Sequence, residues 1–157
     1  MKKPVYCIDA NVIIQGRKHR YPPKRFPVVW QNIEQLIDEG RICASMMVKD
    51  ELVVAEDEIR DWAKGRHGLF VPVDKAQTDV VTQIQKDFED LVDHRKRKSG
   101  ADPFVIALAK VRGCTVVTLE SKTGTGQKPK IPNVCDRYHI PWTNLVGMFD
   151  QEDWTFN

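Results

Sequence analysis

Long apolar runs are missing from this sequence of 157 residues. No segment approaches the ~18 consecutive apolar residues that cross a bilayer. The N-terminal stretch MKKPVYCID also has no sustained apolar run of the kind found in signal peptides. We therefore expect neither membrane attachment nor export, and a cytoplasmic location.

Cysteine is scarce and widely spaced. The four cysteines are Cys7, Cys43, Cys114 and Cys135, and they form no close pair of the type that binds zinc. Three of them lie inside apolar runs. We therefore predict reduced thiols in the core of the protein.

A large excess of charge is missing too. The 24 basic and 22 acidic residues leave a formal net charge of +2. A charge this small does not by itself indicate a nucleic-acid-binding protein. Any such function must come from the distribution of the charges along the chain.

The chain does contain enough apolar residues for one core. Hydrophobic residues make up 41% of the 157 positions, which suits one domain better than two. We predict one domain over residues 1–149, followed by a tail at 150–157. Strand-like apolar runs alternate with helix-like stretches, which is typical of an α/β domain with a mostly parallel sheet.

The predicted elements follow from apolar spacing and from glycine and proline. Periodic apolar residues indicate helices over 28–39, 48–64 and 75–94, and another helix opens at Asp102. Apolar runs indicate strands at 5–8, 41–45 and 114–119, and Pro72 favours an edge position for a strand at 69–73. The proline-containing stretch 16–27 is predicted as a loop, and 131–149 as two short helices joined by a strand.

Four acids lie where a parallel sheet would bring them together. Asp9 follows the first strand, Glu51 lies in the helix after the second, Asp102 begins a helix and Glu120 follows the run VVTL. In open sheets, ligands bind at the carboxyl ends of the strands. Glu51 is the acid of its helix that lies closest to the apolar stripe, about 60° from its centre.

Each acid also has an ordinary structural explanation. Asp9 and Asp102 can cap turns or helices, because their oxygens accept from exposed backbone N–H groups. Glu51 can be a solvated residue of an acid-rich helix, and Glu120 a loop acid. Asn11 can cap the helical turn over 12–15, or support Asp9 by hydrogen bonding.

Taken together, these motifs resemble the PIN-domain ribonucleases, including toxins of the VapC type. The matching stretches are YCIDANVII (Asp9, Asn11), MMVKDELVV (Glu51), SGADPFVIALAK (Asp102) and VVTLES (Thr118, Glu120). The sequence is most similar to a subgroup of small PIN-like proteins with the third motif DPFVIALA. The family usually has Asp where this chain has Glu120, and Asp136 is a candidate substitute or supporting acid.

The resemblance implies a three-layer α/β/α sandwich and a metal-dependent endoribonuclease. Asp9, Glu51, Asp102 and Glu120 would hold Mg²⁺ or Mn²⁺, with Asn11, Thr118 and Asp136 in support. Clustered carboxylates suit such hard cations, and without a cation they would repel one another and take up protons. The resemblance also implies the toxin of a toxin–antitoxin pair, an antitoxin partner and a homodimer.

Basic stretches flank the acidic motifs and are candidate contacts for RNA phosphates. A solvated surface is the other explanation of such charge runs. Tyr21 and Phe26 are candidates for stacking on unpaired bases, whereas Trp30 fits either that role or the core of its helix. The candidate phosphate contacts are Arg17, Lys18, Arg20, Lys24, Arg25, Arg95, Lys96, Arg97, Lys98 and Lys122.

Two other functions remain open. The first is a noncatalytic module that binds nucleic acid or protein, in which the acids have structural roles. The second is a phosphatase of the haloacid-dehalogenase type, with an aspartyl nucleophile after the first strand. That type usually has a second acid two residues after the nucleophile, and Asn11 at that position counts against it.

Overall fold

Five short apolar runs form one parallel sheet. The computed structural model describes residues 5–88, 100–123 and 129–156. The strands are β1 (Tyr6–Ile8), β2 (Ile42–Ser45), β3 (Phe70–Val71), β4 (Thr115–Val117) and β5 (Trp142–Thr143). Their order across the sheet is β3-β2-β1-β4-β5, and every neighbouring pair is parallel. The predicted α/β architecture is confirmed, and β3 is an edge strand as Pro72 indicated.

Helices connect the strands, as parallel pairing requires. They are α1 (Ala10–Gln15), α2 (Pro27–Asp38), α3 (Met46–Val53), α4 (Asp57–Lys64), α5 (Lys75–Asp87), α6 (Asp102–Arg112), α7 (Ile131–Arg137) and α8 (Leu145–Gln151). Gly40 (φ 75°) follows α2 and Gly113 (φ 70°) ends α6, so both glycines take the left-handed conformation expected at helix ends. Within the described ranges, no helix is long and apolar enough to span a membrane.

The core lies on both sides of β1, β2 and β4. All residues of β1 and β2 are buried, which fits a central parallel strand covered on both faces. Helix α6 is buried almost all round, and the Cys7 thiol donates to the Val105 carbonyl at 3.5 Å. All four cysteines are buried and none forms a disulfide, so the predicted core location of the thiols is confirmed.

The predicted helix over 48–64 is wrong, because the structure has two helices there. Helix α3 ends at Val53, and Val54 is 83% exposed. Helix α4 then starts afresh after Glu56 and buries Ile59 and Trp62. Two adjacent β-branched residues disfavour continuation of a helix, and the apolar spacing did not reveal the change of direction.

The predicted loop over 16–27 is also partly wrong. Gly16–Arg20 forms a π-helical segment that continues α1. Glycine suits position 16 because a Cβ there would lie only 3.3 Å from the Trp30 ring, which is a tight contact. The predicted helix over 75–94 is seen as α5 up to Asp87, and its part from 89 onward lies outside the described residues.

Residues after α8 pack against the start of the sheet. The Tyr6 hydroxyl donates to Glu152 Oε2 at 2.6 Å, and Arg41 Nη1 lies 2.6 Å from Glu152 Oε1. Phe149 packs against Trp154 and Phe156, with ring centroids 5.7 and 5.1 Å away. Glu152 is therefore bonded to β1 and to the residue before β2, whereas Trp154 and Phe156 pack against α8.

Candidate metal centre

The pairing of β1 with β4 places two functional segments side by side. Ile8 and Val117 are register partners at the ends of these strands. Asp9 directly follows β1, and its N–H donates to the Val117 carbonyl at 3.0 Å. Asp9 and Thr118 therefore leave the carboxyl edge of the sheet next to each other, at the edge where open sheets bind ligands.

Asp9 is a buried carboxylate held by a hydroxyl. The residue is 3% exposed, and Thr118 Oγ1 donates to Asp9 Oδ2 at 3.0 Å. Asp9 occupies the N-cap position of α1 but makes no side-chain capping bond. The alternative in which Asp9 serves as a helix cap is therefore wrong, and its carboxylate faces the sheet edge.

Asp102 is also no cap. The N-cap position of α6 is Ala101, and Asp102 and Pro103 form the first turn of the helix. The alternative that makes Asp102 a helix N-cap is wrong for this reason. Its side chain is half-buried beside Asp9 and Glu120.

Glu120 joins the other two acids despite its longer side chain. One carboxylate oxygen from each of Asp9, Asp102 and Glu120 lies within 4.8 Å of the other two. The Glu120 N–H donates to Thr118 Oγ1 at 3.1 Å, and Glu120 Oε2 accepts from the Ile131 N–H at 3.2 Å. We call these three residues the three-acid cluster.

Glu51 lies near the cluster but does not belong to it. Glu51 Oε1 accepts from the Ala101 N–H at 3.4 Å, and so contacts the start of α6 just before Asp102. The charge of Glu51 nevertheless raises the pKa of Asp9 and of Asp102. Helix α3 that carries it is capped by Ser45, whose hydroxyl accepts from the Met47 N–H at 3.2 Å.

The cluster is electrostatically unfavourable by itself. Burial raises the pKa of Asp9 to about 7, and the charges of Glu120 and Glu51 contribute to the rise. The hydrogen bond from Thr118 acts in the opposite direction and lowers this pKa. Burial and the three neighbouring acids raise the pKa of Asp102 to about 9. Burial also raises the pKa of Glu51. Hard divalent cations prefer oxygen ligands and would relieve this repulsion, so the donor set fits Mg²⁺ or Mn²⁺.

Asn11 has a role that its position in the sequence did not reveal. It lies inside α1, so the prediction that it caps a turn at 12–15 is wrong. Its Oδ1 accepts from the Leu119 N–H at 3.1 Å, across 108 residues of sequence. Neither this partner nor the Ala101 N–H could be found from motifs, because both are backbone groups.

Asp136 is not a member of the three-acid cluster and has two other partners. Lys122 Nζ lies 2.6 Å from Asp136 Oδ2, and Trp142 Nε1 donates to Asp136 Oδ1 at 2.9 Å. The bond with Lys122, followed by that with Trp142, lowers the pKa of Asp136. Asp136 therefore does not take the place of Glu120 in the three-acid cluster. Lys122 is already paired.

Arg17 is not available as a phosphate contact in this conformation. Its guanidinium lies 4.6 Å from the Trp30 ring centroid and 5.2 Å from that of Trp62, and it is paired with Glu58. Lys18 pairs with Glu56 at 2.7 Å. Trp30 is 2% exposed and belongs to the core, which settles its two alternatives.

Some of the other candidate RNA contacts are exposed, and the rest lie outside the described residues. Arg20, Lys24 and Arg25 are exposed, and Phe26 beside them is 42% exposed. Tyr21 packs edge-on against Phe26 and Phe149, each with a centroid distance of 5.5 Å. Arg95, Lys96, Arg97 and Lys98 lie outside the described residues.

Comparison with known proteins gives one family and a fold. A family model described as "Domain of unknown function (DUF4411)" matches residues 6–156. No curated protein matches the chain.

Two solved structures share the fold. VapBC-1 from nontypeable Haemophilus influenzae has a TM-score of 0.59 and 11% identity, over 90% of this chain and 98% of the other. VapBC2 from Rickettsia felis, bound to a DNA fragment from their promoter, has a TM-score of 0.53 and 13% identity, over 89% and 98%. These matches confirm the PIN-like fold that the motifs predicted.

Proposed function

The chain belongs to the DUF4411 family, and we propose that it is a Mg²⁺- or Mn²⁺-dependent endoribonuclease. The observation that carries this proposal is the three-acid cluster at the carboxyl edge of a PIN-like sheet. Among the residues that the structure describes, no lysine or arginine is ion-paired with Asp9, Asp102 or Glu120. A divalent cation would offset the negative charge of such a cluster, and it prefers oxygen ligands.

The four acids have two roles in this function. Asp9, Asp102 and Glu120 would hold the cation, and Glu51 would add negative charge beside it. A bound Mg²⁺ or Mn²⁺ would neutralise charge on the scissile phosphate and make a water molecule more acidic. Thr118 fixes Asp9 and the backbone of Glu120, so the acids need little rearrangement when the cation enters.

RNA is the proposed substrate, held mainly through its phosphates. Arg20, Lys24 and Arg25 form an exposed basic group, and the basic segment 95–98 directly precedes the Asp102 motif in sequence. Contacts of this type fix the position of the backbone and carry little sequence information. Phe26, which is 42% exposed, could stack on an unpaired base.

The proposed biological role is that of a toxin controlled by an antitoxin. Its support is the similarity of fold to VapBC-1 and VapBC2, together with the PIN-type motifs. Co-purification with the product of a small adjacent gene, and loss of RNA cleavage in that complex, would support the role. Cleavage that is unchanged in the complex would contradict it.

Cleavage of defined RNA with matched variants tests the enzymatic proposal. Wild-type protein should cut RNA with Mg²⁺ or Mn²⁺ and stop when a chelator is added. Asp9→Asn should lower the rate by at least about a hundredfold, because it removes a charged ligand of the cation. Asp74→Asn, which changes an exposed acid at the start of α5, is the matched control and should cleave normally. Metal-independent RNA binding without cleavage would favour the noncatalytic module instead.

A further inference from the structure

The segment that carries Glu120 is held by three separate backbone hydrogen bonds after β4 ends at Val117. The Thr118 N–H donates to the Thr143 carbonyl at 3.0 Å. The Leu119 N–H donates to Asn11 Oδ1 at 3.1 Å, and the Glu120 N–H donates to Thr118 Oγ1 at 3.1 Å. The direction in which Glu120 leaves the sheet therefore depends on two side chains, those of Asn11 and Thr118.

The bond to Asn11 is the only one of the three that joins this segment to α1. Asn11 is the second residue of α1 and follows Asp9 by two positions. It therefore ties the helix that begins at Asp9 to the segment that carries Glu120. The Asn11 side chain accepts from a backbone N–H that lies 108 residues away in sequence.

Glu120 needs such a constraint more than an aspartate would. Its side chain has one more rotatable bond, and fixing each torsion has an entropic cost. Its far end is also held, because Oε2 accepts from the Ile131 N–H at 3.2 Å. With both the backbone and the far oxygen held, the carboxylate stays within 4.8 Å of the oxygens of Asp9 and Asp102.

We propose that Asn11 is a positioning residue for Glu120: its bond to the Leu119 N–H sets the direction in which Glu120 enters the three-acid cluster and thereby raises the affinity for a divalent cation. This inference rests on the proposed function, because it requires the cluster to hold a cation. Asn11 itself acts through the backbone and does not contact the reacting atoms.

A double-mutant cycle on Mn²⁺ affinity tests the proposal. The affinity of the purified full chain for Mn²⁺ is measured by calorimetric titration for wild type, Asn11→Ala, Glu120→Gln and the double variant. Residues that orient metal ligands typically change metal affinity by about 10-fold to 100-fold. Asn11→Ala should weaken Mn²⁺ binding about tenfold in the wild-type background, and by about twofold or less in the Glu120→Gln background.

Two controls separate positioning from a general loss of stability. Asp74→Ala removes a bond of the same kind, from the Gln77 N–H to Asp74 Oδ1 at 2.9 Å, and should leave Mn²⁺ affinity unchanged. Amide hydrogen exchange at Leu119 in metal-free protein should accelerate in Asn11→Ala.

The outcomes distinguish the positioning role from the proposed function. An equal loss of affinity in both backgrounds, or no loss in either, overturns the positioning role and leaves the metal site intact. A wild-type protein that does not bind Mn²⁺ overturns the proposed function itself, and the positioning role with it.

Discussion

The Thr118 hydroxyl donates to Asp9 Oδ2 at 3.0 Å, and this bond joins the ends of two neighbouring strands inside the buried part of the site. Thr118 Oγ1 also accepts from the Glu120 N–H at 3.1 Å. Thr118 is fully buried, so water cannot replace either bond. One hydroxyl thus fixes one acid of the three-acid cluster directly and a second through its backbone.

Replacing Thr118 by valine should impair the site more than the fold. Valine keeps the shape but removes the hydroxyl, so Asp9 loses its donor and the Glu120 N–H loses its acceptor. Mn²⁺ affinity should fall about tenfold or more, measured by calorimetric titration. Thr118→Ser keeps the hydroxyl and should retain most of the affinity. If serine and valine variants bind Mn²⁺ equally, the hydroxyl has no such role.

The stability of the metal-free protein should fall as the pH rises from 5 to 9. The pKa values of Asp9 (about 7) and Asp102 (about 9) lie above the value near 3.9 of an unfolded aspartate. The folded state therefore binds more protons than the unfolded state in this range, and raising the pH destabilises it. Thermal unfolding in a chelator at several pH values measures the effect.

The same reasoning predicts the response to metal and to one substitution. Mg²⁺ should raise the melting temperature more at pH 8 than at pH 6, because protons and the cation compete for the same carboxylates. Asp102→Asn should make the metal-free protein more stable at pH 8, by about 2–4 °C for each kcal/mol gained. A metal-free protein whose stability rises steadily from pH 5 to 9 would contradict the electrostatic account.

Arg17 should matter for stability and not for RNA binding. Its guanidinium lies over the rings of Trp30 and Trp62 and pairs with Glu58, with only 9% of the side chain exposed. Lysine cannot reproduce the planar stacking, so Arg17→Lys should lower the free energy of unfolding by about 1–2 kcal/mol. Arg20→Lys at an exposed position should change it by less than about 0.5 kcal/mol. Denaturant unfolding of the two variants decides between these expectations.

The exposed basic group at Arg20, Lys24 and Arg25 should control the salt dependence of RNA binding. Each phosphate contact on a single strand contributes about 0.7 to the slope of log affinity against log salt concentration. Changing all three residues to alanine should therefore reduce the slope by about 2. The measurement is made in the Asp9→Asn background so that RNA stays intact, with Lys64→Ala/Lys86→Ala as the exposed control. An unchanged slope would place RNA elsewhere on the surface.

The sheet and the acids could be predicted because their signals are local. The runs around Tyr6, Ile42 and Thr115 are apolar and short, and Asp9 and Glu120 follow two of them directly. The break between α3 and α4 was not predicted, because the apolar residues on either side of it keep a helical spacing, although the adjacent Val53 and Val54 disfavour a continuous helix.

The contacts that support the site could not be predicted from the sequence, for a different reason. Asn11 binds the backbone of Leu119, and Glu51 binds the backbone of Ala101, across 108 and 50 residues. Backbone donors carry no residue-type signal, so motif spacing gave Asn11 a capping role that it does not have. The pairing of Asp136 with Lys122 joins two side chains, and it depends on how α7 lies against the segment after β4.

The most direct measurement of the central claim is anomalous diffraction from crystals grown or soaked with Mn²⁺. The account predicts one anomalous peak in contact with carboxylate oxygens of Asp9, Asp102 and Glu120, at about 2.0–2.4 Å for hard-cation coordination. The peak should vanish in Asp102→Asn crystals treated identically. Crystals of wild-type protein with saturating Mn²⁺ and no peak between these three side chains would contradict the account.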